Sequence, residues 1–357
     1  MFRFRDEETA RKVIRSIKDL GIEARFMHVC GTHQDTLVRF GIGDMLRDAG
    51  VTIGQGPGCP VCVTTTKEVA EGITLARSGV TFCVFGDMLN VPTPIGSLAD
   101  AKVEGADVRV VYSIDDAVKL ARTTDEVVFM AIGFETTSPT TASALLSGPP
   151  KNFSVMSCHR VLPPALEALF QLGDVRIEGL IQPGHVATII GTGPFEVFSA
   201  KYKVPQVVAG FEPLDLLVSV FMLAKQLSEG RHEVENEYTR VVRPDGNPKA
   251  LAMLDRVFEP VDRAWRGFPV IPKSALELRE EFAEQNARLV HQDIVDTTPQ
   301  VKEDMSGCRC GEVLRGLIDS TECPAFGKGC SPKMPMGPCM VSREGSCSIS
   351  FRYAKKE

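Results

Sequence analysis

Between residues 20 and 230, short runs of β-branched and apolar residues recur along the chain. Each is closed by a Gly- or Pro-containing turn, and most are followed by a segment of helical periodicity. The runs at 25–29, 51–53, 80–85, 127–132, 153–156, 179–181 and 204–209 have the length and composition of buried strands. Thr65 and Glu68 form a capping-box pattern ahead of 69–77. Ser138-Pro139 supplies an N-cap and first helical position for 139–147. Pro213 opens a helix through Leu227 that Gly230 ends. Strands alternating with helices predict an α/β fold of largely parallel sheet covered by helices. The tripeptide Gly-Phe-Glu occurs at 133–135 and again at 210–212, a hint of two related α/β halves. From 231 the texture changes: charged, helix-like stretches such as 273–288 lead into a tail rich in Gly, Pro and Cys. Few long apolar runs remain there, and a metal centre would replace part of the missing core.

A length of 357 residues predicts two or three domains, and 43% apolar with 24% charged residues is ordinary globular composition. The net charge of −6 argues against a nucleic-acid partner held through phosphates. Arg3, Arg5, Asp6, Glu7 and Glu8 stand where a signal peptide needs an apolar run. No apolar stretch approaches the ~20 residues that span a bilayer. The expectation is a cytoplasmic protein with neither a membrane nor a nucleic-acid partner.

In that compartment eleven cysteines need a reason, since reducing conditions disfavour structural disulfides. Six of them, Cys308, Cys310, Cys323, Cys330, Cys339 and Cys347, crowd the tail. One ligand from the first pair gives Cys308-x14-Cys323-x6-Cys330-x16-Cys347, with Cys310 and Cys339 spare. Four thiolates suit zinc or an iron–sulfur cluster, and the spacing matches neither zinc knuckles nor compact ferredoxin runs. Cys83, within the apolar run at 80–85, reads as a small hydrophobe.

Cys59-Pro60-Val61-Cys62 is a C-x-x-C ahead of a helix, where the dipole favours the thiolate and reversible disulfide chemistry; it would serve equally as half a metal site. Cys30-Gly31-Thr32-His33 sets a thiol and an imidazole three residues apart, on one face if the turn is helical, a donor pair suited to Fe(II); a Cys–His nucleophile for acyl transfer is the alternative, with no oxyanion-hole signature to support it. Glu135 is placed to act as an acid, a base or a hydrogen-bond acceptor, or only to favour a helix N-terminus. These residues, with Asp87, His159, His185 and Glu212, all follow strands, where open α/β sheets bind ligands. No G-x-x-x-x-G-K-[ST] or G-x-G-x-x-G is present, which removes the standard nucleotide folds. Three classes of function remain: a metal-carrying scaffold, an iron–sulfur thiol–disulfide oxidoreductase acting on a protein disulfide, and a zinc-stabilised interaction module.

Taken in order, Cys-Gly-Thr-His at 30–33, Gly-Pro-Gly-Cys-Pro-Val-Cys at 56–62, Gly-Phe-Glu-Thr-Thr at 133–137 and the tail from Cys308 to Cys347 resemble the HypD family of hydrogenase formation proteins. Ser-Cys-His-Arg at 157–160 and Gln-Pro-Gly-His at 182–185 add to the likeness, which spans nearly the whole chain. The resemblance implies two related α/β domains and a C-terminal domain with a [4Fe–4S] cluster on Cys308, Cys323, Cys330 and Cys347. It further implies a scaffold on which the Fe(CN)2CO moiety of [NiFe]-hydrogenase is built, in complex with a small HypC-type chaperone and with HypE, the cyanide donor. The hydrogenase large subunit is then served indirectly. Cys30 corresponds to the iron-holding thiol, with His33 close by, and Cys59/Cys62 to a redox-active pair. Together these readings divide the chain into α/β domains at 1–125, carrying the two thiol loops, and 126–235, then a helical, cysteine-rich domain at 236–357. They favour a redox-active assembly scaffold over an enzyme that turns over a free substrate.

Overall fold

The computed structural model describes residues 5–174, 176–303 and 307–353. The chain first lays down β1 (Ala24–His28) and β2 (Val51–Gln55), then crosses over to make β3 (Thr81–Val84), β4 (Val108–Val110), β5 (Val127–Gly133) and β6 (Phe153–His159). It returns with β7 (Gly179–Pro183), β8 (Gln206–Ala209) and β9 (Val234–Asn236). Two sheets result, ordered β2-β1-β7-β8-β9 and β4-β3-β5-β6, and every strand pair in them is parallel. Strands β5 and β6 are buried along their whole length, as parallel strands covered on both faces must be.

The sheets do not follow the expected division at 125/126. Strands from 24–55 and 179–236 share one sheet, and those from 81–159 form the other. The two ends of the first sheet meet where the Arg25 backbone N–H donates to the Glu178 carboxylate, 153 positions along the chain. Each sheet reverses its winding direction once, between β1 and β7 and between β3 and β5. These are the switch points where side chains at the carboxyl ends of strands are best placed to meet a ligand.

The expected helical stretch at 273–288 is instead strand as far as Leu278 and then a 3-10 turn. Strand β11 (Val270–Leu278) pairs antiparallel with β10 (Phe258–Ala264), and a 3-10 turn at Glu280–Gln285 precedes a short helix, Ala287–Val290. Leu276 and Leu278 are buried with Phe258, Phe129 and Val155 in one apolar cluster, and Ala275 is buried beside them in the strand. That burial outweighs the helical propensity of the Glu- and Leu-rich segment.

The tail is bound to both sheets. The Arg25 side chain donates to the Gly316 carbonyl (2.7 Å) and Gln55 to the Val313 carbonyl (3.4 Å). Asp87, at the end of β3, accepts from the Ser342 hydroxyl and the Arg343 backbone N–H, both at 2.9 Å. The terminal helix Ser346–Tyr353 is tied to the helix Gly31–Arg39 by an Arg352–Asp35 ion pair at 3.2 Å. Among the described residues no helix is long and apolar enough to cross a membrane.

Candidate functional site

Cys30 ends the β1 turn as the N-cap residue of the helix Gly31–Arg39 and sits at the first sheet's switch point. Its thiol is half-buried. Burial pushes it up to about 11, against backbone N–H groups of His33 and Thr32 that favour the thiolate; the Glu344 carboxylate adds to the rise. The loop after β2 lies directly on this turn. A Cβ on Gly58 would stand 2.2 Å from the Cys30 nitrogen and the Val29 carbonyl carbon, so only glycine lets the next residue, Cys59, reach the crevice at Cys30. Cys59 and Cys62 are joined by a disulfide, and the one-turn helix Pro60–Val63 carries it with Pro60 at the first helical position.

The crevice at Cys30 is lined by both disulfide cysteines, His28, Glu344 and Cys339. Cys339 belongs to the tail. A second cavity is lined by all six tail cysteines, Cys308, Cys310, Cys323, Cys330, Cys339 and Cys347, with Val313, Ala325, Phe326, Met336 and Met340 between them. Cys339 lines both cavities, and its sulfur lies 2.8 Å from that of Cys310. Of the pair left spare by spacing, Cys339 therefore reaches the crevice of the disulfide, with Cys310 beside it.

The remaining four, Cys308, Cys323, Cys330 and Cys347, line the same cavity. Burial raises the Cys347 thiol, and Cys310, Cys308, Cys330 and Cys323 each raise it further. Cys330 accepts a hydrogen bond from the Met336 backbone N–H (3.3 Å), the kind of contact that stabilises a sulfur ligand. Among the described residues no three His, Cys, Asp or Glu side chains are close enough to share a single metal ion. An iron–sulfur cluster, which takes one thiolate per iron, calls for sulfurs set further apart around a common space. The donor set and its apolar lining fit such a group.

The structure separates several residues that the sequence set side by side. The His33 ring turns away from Cys30: its Nε2–H donates to the Gly210 carbonyl (2.9 Å) and the ring stacks on Phe211. Burial holds it neutral, down to about 3. The imidazole that does line the crevice is His28, which sequence reasoning passed over as a strand residue. Its Nδ1 accepts from the Cys30 backbone N–H (3.4 Å), so Nε2 carries the proton given to Gln34 Oε1 at 2.7 Å. Glu135 lies at the second sheet, buried, where it accepts from the Leu162 backbone N–H at the start of the helix Leu162–Leu172. Burial pushes its carboxyl up to about 7. His159 is buried against Thr141 (2.9 Å). His185 is exposed and stacks on Phe211, 3.8 Å between ring centres. Glu212 pairs with Arg5 at 2.7 Å. Cys158 is buried beside Arg288.

Fold and site together define a thiol-based α/β protein, in which a free cysteine at a switch point and a disulfide share a crevice that Cys339 joins to a cysteine-lined cavity. The HypD family model, described as the hydrogenase formation hypA family, matches residues 7–354. A hydrogenase maturation factor HypD of Rhizobium leguminosarum bv. viciae is 44% identical over 370 residues, covering 99% of this chain and 94% of that protein. A second HypD maturation factor, from Bradyrhizobium diazoefficiens, is 42% identical over 99% of this chain and 96% of its own length. One from Cupriavidus necator is 40% identical, with the same coverage of each. The chain belongs to the HypD family.

Proposed function

We propose that the chain is a hydrogenase maturation scaffold that holds one iron on Cys30 while the Fe(CN)2CO moiety is built. The observation that carries this reading is the shared crevice, lined by Cys30, the Cys59–Cys62 disulfide and Cys339. Cyanide and carbon monoxide favour low-spin Fe(II), for which thiolate is a suitable ligand. The metal must displace the Cys30 proton, because ligands bind deprotonated. A single half-buried thiol covers only one side of the ion, and a thiolate from the HypC-type chaperone completes the grip; HypE supplies the cyanide.

In the same proposal Cys308, Cys323, Cys330 and Cys347 hold a [4Fe–4S] cluster, which when bound supplies single electrons. Cys59–Cys62 takes up two electrons and two protons as its S–S bond opens to a dithiol. Cys339 lines both cavities, and with Cys310 beside it can open that disulfide by exchange, a Cys310–Cys339 bond forming as Cys59 and Cys62 become thiols. His28 fixes the Cys30 backbone, and Asp87 keeps the 342–344 segment over the crevice. The alternative, an oxidoreductase acting on a protein disulfide, needs Cys59 and Cys62 but not Cys30. The test is complementation of a host lacking its own HypD. Wild type should restore active hydrogenase, and Cys30→Ala and Cys62→Ala should each lose at least ten-fold. Full restoration by Cys30→Ala would remove the iron-holding assignment.

A further inference from the structure

Arg266 is a charged residue buried where apolar contacts are the rule. Only 4% of its surface is exposed. It lies in the turn between β10 and β11, and that turn is wedged between the disulfide helix and the cysteine-rich tail. On one side the Arg266 backbone N–H donates to the Val63 carbonyl (2.9 Å), and its side-chain Nε donates to the Thr64 carbonyl (3.2 Å). On the other, Gly267 and Gly311 approach so closely that a Cβ on Gly267 would stand 2.5 Å from the Gly311 Cα. Gly311 is the second residue of the helix Cys310–Leu314. The guanidinium therefore stands between the Cys59–Cys62 helix and the cavity of six thiols.

Its hydrogen bonds fix it without neutralising that face. Nη1 donates to the Thr66 hydroxyl (2.8 Å) and pairs with Glu303 (3.2 Å), a carboxylate that is 36% exposed. Nη2 is buried and meets no acceptor among the described residues. Burying a guanidinium is costly unless an anionic group repays it, and Glu303 alone, half in solvent, repays little.

We propose that Arg266 sets the reduction potential of the cysteine-held centre, its fixed positive charge favouring the state with one more electron. The inference rests on the cluster reading above. Reduction adds one negative charge to a site already bearing four thiolates, and net charge is among the main determinants of such potentials. Arg266 lines neither the cysteine cavity nor the crevice at Cys30, so it acts on the centre through space.

The test is a redox titration of the full chain purified anaerobically, followed by visible absorption and electron paramagnetic resonance. Arg266→Met should lower the midpoint by about 59 mV, a tenfold change in a one-electron equilibrium. Arg266→Lys should retain most of the wild-type value. Glu303→Gln removes the opposing charge at a partly exposed position and should move the midpoint upward. It decides the matter if Arg266→Met loses the centre. Midpoints of Arg266→Met and Glu303→Gln within a twofold equilibrium change of wild type would overturn the proposal. Iron and sulfide analysis of the wild type separates the two layers. A chain without them ends both the cluster reading and this inference, whereas a loaded chain with unmoved midpoints ends this inference alone.

Discussion

Cys30 should be a slow nucleophile when no metal or partner is present. Its thiol is pushed up to about 11, chiefly by burial. At pH 8 about 0.1% is then thiolate, against about a quarter for an ordinary thiol near 8.5, a deficit of roughly 200-fold. A more basic thiolate is intrinsically more reactive, which returns about ten-fold through the Brønsted dependence. The net expectation is alkylation roughly 20-fold slower than a model thiol at pH 8, rising with pH to about 11. Peptide-resolved mass spectrometry after timed iodoacetamide pulses isolates Cys30 from the other thiols. Glu344→Gln should shift the profile downward, because that carboxylate raises the thiol. An apparent pKa near 8.5 for the Cys30 peptide would refute the reasoning, since burial would then not be governing the sulfur.

Further outcomes follow from the same geometry. Glu135 keeps its proton to about 7 when folded and ionises near 4.5 when unfolded, so its contribution is full below 4.5 and lost as pH rises toward 7. Glu135→Gln should therefore raise stability at pH 8 by on the order of 3 kcal/mol, with the gain gone by pH 4.5 in urea titrations. His28, His33 and His159 are held neutral down to about 4, 3 and 4. Their contribution is present above 6.5 and lost below it, so melting temperature should fall steeply from pH 6 to pH 4. Arg160→Met leaves the buried Glu68 carboxylate without its main partner and should cost about 3–5 kcal/mol. Gly58→Ala forces the disulfide loop off Cys30 and should cost about 1–3 kcal/mol while exposing Cys30 to faster alkylation.

Much of this was legible from local pattern. The seven apolar runs all lie on strands, and the Thr65–Glu68 capping box opens the helix Thr66–Arg77 as its spacing requires. The pairing of β1 with β7 was not legible, because periodicity speaks of a strand's faces and not of its neighbours. The short strands β4 and β9 carry too few apolar positions to stand out. In β11, the strand through Leu278 was hidden by the charged residues around it, which favour a helix when read locally. The expectation of a centre on four tail cysteines, with Cys310 and Cys339 spare, came from composition and spacing; in the fold all six line one cavity. The place of Cys339 between two cavities was not legible. Its one local signal was Pro338, which opens a single helical turn as Pro60 does beside Cys59. His28 was invisible because an inward-facing strand residue carries no motif until the Cys30 turn folds back on it.

The account depends most on Cys30 gripping an iron that bears diatomic ligands. The measurement closest to that claim is infrared spectroscopy of the chain isolated anaerobically with its small partner. Cyanide and carbonyl stretching bands should be present in the wild-type complex and absent from Cys30→Ala, with the partner still bound. Bands of undiminished intensity in Cys30→Ala would contradict it.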